Sequence, residues 1–157
     1  MKHVRFAALA LSVVTLAACD DHDHEDVTVT SARVEVLNGT AVAQTLTVTP
    51  NGVTGGPLNL TRNVATTIRV TWLDASGAAD PANNDADFEV RFNPPAGSGL
   101  SFALASGQKH RGTMTGSTVT TSAVQVGISL YHTVEAHSDF DANIPVTVQN
   151  AAVAVRQ

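Results

Sequence analysis

The stretch Val64-Ala65-Thr66-Thr67-Ile68-Arg69-Val70-Thr71-Trp72-Leu73 decides the fold class. Val64, Thr66, Ile68, Val70 and Trp72 fall on one parity, and Ala65, Thr67, Arg69 and Thr71 on the other. A period of two marks a half-buried strand, and β-branched residues fit its pleated surface. Trp72 is the chain's one tryptophan and is expected in the core or at its edge. Asp74-Ala75-Ser76-Gly77 follows as a tight turn.

The same alternation recurs on both sides. Val42, Gln44, Leu46 and Val48 form one face before this strand. Phe88, Val90 and Phe92, then Leu100, Phe102 and Leu104, form faces after it. Val124, Val126, Ile128 and Leu130 make a second strong inward face, and Ile144, Val146 and Val148 close the chain. Residues 113–115 suit a short strand. Residues 27–37 change parity near Ser31, which predicts a bulge or a strand that changes sheets. Asn38-Gly39, Pro50-Asn51-Gly52, Gly55-Gly56-Pro57 and Asn93-Pro94-Pro95 punctuate these runs as turns. Pro145 predicts that the last strand starts at an edge, or that its nitrogen faces away from the ladder. No stretch sustains a helical period. The reading is an all-β domain over 27–157, a single antiparallel β-sandwich of about eight strands.

Residues 58–77 resemble bacterial immunoglobulin-like domains, in which a strand ends in an Asp-x-x-Gly turn that opens the next hairpin. The resemblance implies an Ig-like architecture and nothing about activity. The Cys pair of antibody-type domains is absent, since Cys19 is the only cysteine of the 157 residues.

The chain begins differently. Lys2 and Arg5 make a basic head, residues 6–16 are apolar except for Ser12 and Thr15, and Ala17 and Ala18 are small. This is the form of a secretory signal peptide, too short to serve as a stable membrane span. Leu16-Ala17-Ala18-Cys19 resembles the lipobox of bacterial lipoproteins. The resemblance implies that the Cys19 thiol carries diacylglycerol, that cleavage occurs before it, and that the new amino group is acylated. Two or more acyl chains hold a protein stably at a membrane. The expected organisation is a signal peptide at 1–18, a lipidated Cys and disordered tether at 19–26, and the sandwich at 27–157. The expected location is the cell envelope, facing the periplasm or the exterior, with inner and outer membranes both open.

Removal of 18 residues from 157 leaves 139, enough for one domain. Lys2 and Arg5 leave with the signal, so seven basic residues face 14 acids, a formal charge of −7. That balance argues against a nucleic-acid partner, which requires a basic surface. It also argues against direct attraction to anionic lipid headgroups, so the membrane is expected as a partner through the lipid on Cys19.

Chemistry-bearing residues gather in three places. Residues 20–26 hold five carboxylates with His22 and His24. Such a segment cannot bury enough surface to fold alone. It reads as a charged spacer or as a loose cation trap. Residues 74–87 hold six Asp or Asn side chains. They lack EF-hand spacing, because Ala78 stands at the fifth position, and the same residue types serve as turn formers. Residues 132–143 read as a loop between two strands. They contain His132, Glu135, His137, Asp139 and Asp141, a donor set suited to zinc or copper, with His110 as a further candidate ligand. An extended chain would put Glu135, His137 and Asp139 on one face and His132 on the other, so the loop must curl to unite them. The plain alternative is a polar loop whose histidines bond to neighbouring carboxylates or backbone.

No Gly-x-Ser-x-Gly, phosphate-binding glycine loop or His-Glu-x-x-His occurs. Few aromatics leave little material for a sugar-stacking platform. The expectation is therefore a non-enzymatic, lipid-anchored interaction or structural module with a protein partner in the envelope. The alternative is a periplasmic lipoprotein that binds zinc or copper through 132–141 and the His/Asp tether.

Overall fold

A computed structural model describes residues 27–151. Residues 1–26, which hold the expected signal peptide, Cys19 and the expected tether with His22 and His24, and residues 152–157 lie outside the described residues. Ten strands follow in order: β1 Ser31–Asn38, β2 Ala41–Thr49, β3 Gly52–Thr54, β4 Leu58–Thr61, β5 Thr66–Leu73, β6 Phe88–Asn93, β7 Leu100–Leu104, β8 Arg111–Gly116, β9 Val124–His132 and β10 His137–Gln149. One 3₁₀ turn spans Pro81–Asn83.

The strands form two sheets, in the orders β3-β2-β1-β5-β8-β7 and β4-β10-β9-β6. Their inner faces share one core, built from Ala32, Val34, Leu46, Ile68, Val70 and Trp72 on one side and Phe88, Val90, Ile128, Leu130, Ile144 and Val146 on the other. The orders β1-β5-β8-β7 and β6-β9-β10 follow the A-B-E-D and C-F-G strand orders of immunoglobulin-type sandwiches. The parities of 68–72, 126–130 and 144–148 are buried as the alternation predicts.

Several details differ from expectation. Among the described residues there are ten strands rather than about eight, because β3 and β4, three and four residues long, are too short to show a period. The sandwich is not purely antiparallel: β10 pairs with β4 in parallel from Val146 onward. That ladder begins one residue after Pro145, so the proline lies where one flank of β10 has no partner in β4. The parity change near Ser31 is no bulge, since β1 begins there; the shift lies between Val36 and Leu37. After that shift Val42 is exposed, while Leu46 and Val48 are buried. Val64 belongs to a turn before β5 and is also exposed.

Trp72 is fully buried and packs against Phe140, with ring centroids 5.5 Å apart. Its backbone is clasped by Asn83: Oδ1 accepts from the Trp72 N–H at 2.8 Å, and Nδ2 donates to the Trp72 carbonyl at 2.8 Å. The Asn83 amide thus behaves as a strand partner one residue long, and it satisfies backbone groups that burial would otherwise leave costly.

Register defines two ends. Ser31 pairs with Leu73, and Thr28 donates to Asp80 Oδ2 through both its N–H and its hydroxyl, at 3.1 Å each. Loop 74–87 then leads to Phe88, which pairs with His132. The leading end therefore carries the incoming chain, loop 74–87 and turn 133–136 together. At the trailing end, the Arg62 N–H donates to the Gln149 carbonyl at 2.7 Å and the Asn63 N–H to the Gly116 carbonyl at 2.8 Å.

Candidate metal site

The segment expected as a loop from His132 to Asn143 is a hairpin. β9 runs to His132 and β10 begins at His137, leaving four residues between them. The Ala136 N–H donates to the His132 carbonyl at 3.0 Å and closes the turn. Ala136 adopts φ 59°, a left-handed conformation that a non-glycine residue takes at a cost. The Thr133 N–H and hydroxyl both donate to the Asp87 carbonyl, at 2.7 and 2.9 Å, and pin the turn to loop 74–87.

Parity along β9 points Val126, Ile128 and Leu130 inward, and His132 continues that row at 2% exposure. On β10 the inward row runs Phe140, Ile144, Val146 and Val148. Simple alternation would turn His137 outward. The register slips between Ser138 and Phe140, so Asp139 is an extra, bulged residue. The bulge re-phases the chain, and His137 becomes the cross-strand partner of His132 on the same face. The curl required by the sequence is thus one residue inserted into a strand.

His132 Nδ1 and His137 Nδ1 each lie 3.5 Å from the same Glu135 carboxylate oxygen, Oε2. The imidazole rings are 5.5 Å apart, and the Phe88 ring packs against His132 in a tilted contact with centroids 4.6 Å apart. The Glu135 N–H donates to His132 Nδ1 at 3.3 Å, so that nitrogen bears the lone pair. His137 Nε2 bonds to Asp139 Oδ1 at 3.1 Å. Donor atoms of His132, Glu135 and His137 all lie within 4.8 Å of one another. His132 is buried, whereas Glu135 and His137 are exposed.

The other candidate ligands take different positions. Asp139 joins through His137 only. Asp141 pairs with Ser129 and is exposed. His110 is held elsewhere in the fold: its Nδ1 accepts from the Trp72 indole N–H at 3.2 Å, and its Nε2 bonds to the Ala82 carbonyl at 3.2 Å. Burial pushes the His110 pKa below the usual histidine value; neighbouring Lys109 acts in the same direction, while the Ala82 carbonyl and Glu89 oppose them. His110 is thus held by Trp72 and Ala82 and is not brought into the group formed by His132, Glu135 and His137.

Loop 74–87 does not gather its carboxylates around a common point. Asp74 Oδ1 accepts from the Ser76 N–H, the Ser76 hydroxyl and the Ala78 N–H. The hydroxyl bond foremost, with backbone donors, holds the Asp74 pKa below its ordinary value. Asp80 is 1% exposed, caps the 3₁₀ turn through the Ala82 N–H and receives Thr28. Asp85 accepts from the Asp87 N–H. These are Asx turns and caps, in which the carboxylates bond to the loop's own backbone and to Thr28 rather than to a shared centre.

A separate open cleft of 560 Å³ is lined by Arg69, Asn83, Asn84, Asp85, Lys109 and Arg111 among others. Arg69 and Arg111 are cross-strand neighbours, an arrangement that the 2.7 Å bond from Arg69 Nε to Glu35 Oε2 offsets. Lys109-His110-Arg111 are adjacent in the chain, whereas Arg69 comes beside Arg111 only through the β5–β8 pairing. No helix of the described residues is long and apolar enough to cross a membrane. Comparison of the chain with protein-family models, with curated proteins and with solved structures finds no match.

Proposed function

We propose that this chain is a lipid-anchored β-sandwich of the bacterial cell envelope, tethered through Cys19, that acts as a non-enzymatic interaction or structural module. The observation that carries this reading is the polarity of the sandwich. The chain enters at the leading end, where Thr28 is fastened to the buried Asp80. A lipid ahead of Val27 would hold that end toward the membrane and present the trailing end outward. The trailing end carries Val42, Val64 and Val119, three of the four large apolar side chains exposed among the described residues. Val42 lies near the start of β2, just after the turn at 39–40, and Val64 and Val119 stand in the connections at 62–65 and 117–123. Exposed apolar residues on projecting turns suit contact with a protein partner better than chemistry on a small substrate.

Two measurements test the proposal. The wild-type chain is expected to incorporate labelled palmitate and to fractionate with envelope membranes. Cys19→Ala is expected to lose the label and appear in the soluble fraction; a Cys19→Ala chain that stays membrane-bound overturns the anchor. Chemical cross-linking in intact cells is expected to give a discrete adduct that a Val64→Asp/Val119→Asp variant loses. A wild-type chain without any adduct, or an adduct indifferent to both substitutions, overturns the outward-facing contact surface.

A further inference from the structure

We propose that His132, Glu135 and His137 bind one divalent ion of the zinc class at the leading end of the sandwich, with Asp139 positioning His137 and a fourth coordination position open to solvent.

Two features of the geometry carry this. Zinc held by nitrogen and oxygen at about 2.0–2.1 Å in a tetrahedron separates its ligand atoms by about 3.3 Å. Both imidazole Nδ1 atoms stand 3.5 Å from one Glu135 oxygen, close to that separation. The Glu135 N–H at 3.3 Å places the lone pair of His132 on Nδ1, the nitrogen that faces the carboxylate. An ion would replace this long hydrogen bond with a coordinate bond to the same lone pair.

The second feature is the partner of His137. Its other ring nitrogen is held by Asp139, the bulged residue, at 3.1 Å. A carboxylate on the far nitrogen of a ligating histidine fixes its tautomer and raises its basicity. The same inserted residue that turns His137 toward His132 therefore also supplies this carboxylate. Two imidazoles and one carboxylate match zinc, and copper as a close competitor, and match calcium or magnesium poorly. Burial of His132 beneath Phe88 makes one ligand rigid, while exposed Glu135 and His137 admit the ion and leave room for water.

The test uses the full mature lipoprotein in detergent, with Co²⁺ as a spectroscopic stand-in for Zn²⁺ and calorimetric Zn²⁺ titration beside it. The expected result is one ion per chain with the absorption bands of tetrahedral Co²⁺. His137→Ala and Glu135→Gln alter exposed side chains, so both variants are expected to fold by circular dichroism and to lose the stoichiometric uptake. Asp139→Asn is expected to weaken affinity by about 10–100-fold. A His22→Ala/His24→Ala variant is expected to keep the site. Absence of uptake by the wild-type chain, uptake unchanged in His137→Ala, or uptake abolished by the tether variant each overturns the site. Unchanged affinity in Asp139→Asn overturns the positioning role of that residue.

Discussion

Loop 74–87 and the hairpin around turn 133–136 sit at the same end of the sandwich, both carry acidic residues and do opposite things with them. In the loop, carboxylates and amides serve the backbone: Asp74 closes a turn, Asp80 caps the 3₁₀ turn and fastens Thr28, and Asn83 completes the hydrogen bonding of Trp72. In the hairpin, His132, Glu135 and His137 face one another. The contrast teaches that acidic composition alone does not mark a site. The deciding question is whether the polar atoms answer the chain's own backbone or converge on a shared point.

The comparison can be broken most directly at Asp80. Asp80→Ala leaves the buried Ala82 N–H and the more exposed Thr28 N–H without their carboxylate acceptor. The expected loss is roughly 3 kcal/mol of stability in urea titration, because hydrogen bonds to a charged group are among the stronger ones and buried orphans are costly. A loss below about 0.5 kcal/mol, the range of ordinary surface changes, would place Asp80 outside the scaffold.

The next effect is read through pH. His110 Nδ1 must stay unprotonated to accept from Trp72, and its pKa is lowered by burial. The folded state therefore binds that proton less readily than the unfolded chain. Its contribution is complete above the ordinary histidine value of about 6.5 and is lost as pH falls through the lowered folded value. Melting at pH 7.5 and pH 5 is expected to show a drop in the wild type that is smaller in His110→Gln, which can bond to Trp72 and Ala82 without titrating. Equal drops would remove His110 from the account.

A smaller effect is expected at the turn itself. Ala136→Gly relieves the left-handed conformation but adds chain entropy to the unfolded state, for a net gain of about 0.5 kcal/mol. Thermal melting with the ion removed is the appropriate measure. Smallest of all, Glu135→Gln and His137→Ala are each expected to change metal-free stability by less than about 0.5 kcal/mol. A large loss there would make the hairpin cluster part of the scaffold, like loop 74–87, and would erase the contrast.

Much of the fold is legible in the chain because strand alternation is local. Ile68, Val70 and Trp72, or Val126, Ile128 and Leu130, announce their face within a few residues. β3 and β4 are not legible, because three or four residues cannot establish a period against neighbouring glycines and proline. For the candidate site, the residue types of His132, Glu135, His137 and Asp139 were visible, and one inference was within reach. Extending the inward row of β9 by two residues puts His132 inside. The side of His137 was not readable, because a bulge is a relation between two strands.

An all-β domain, its dominant core faces, its net acidity and the residue types available as metal donors follow from the order of residues alone. Periodicity and composition are properties of a chain with itself. The parallel β4–β10 pair, the common end shared by the incoming chain and the hairpin, and the separation of His110 from His132 and His137 arise only when the strands pair. Pairing also makes Asp139 the inserted residue that brings His137 opposite His132. Pairing register joins residues far apart in the chain, and a shift of one position exchanges the faces of a strand. Local pattern therefore named the donors, while register decided which of them meet.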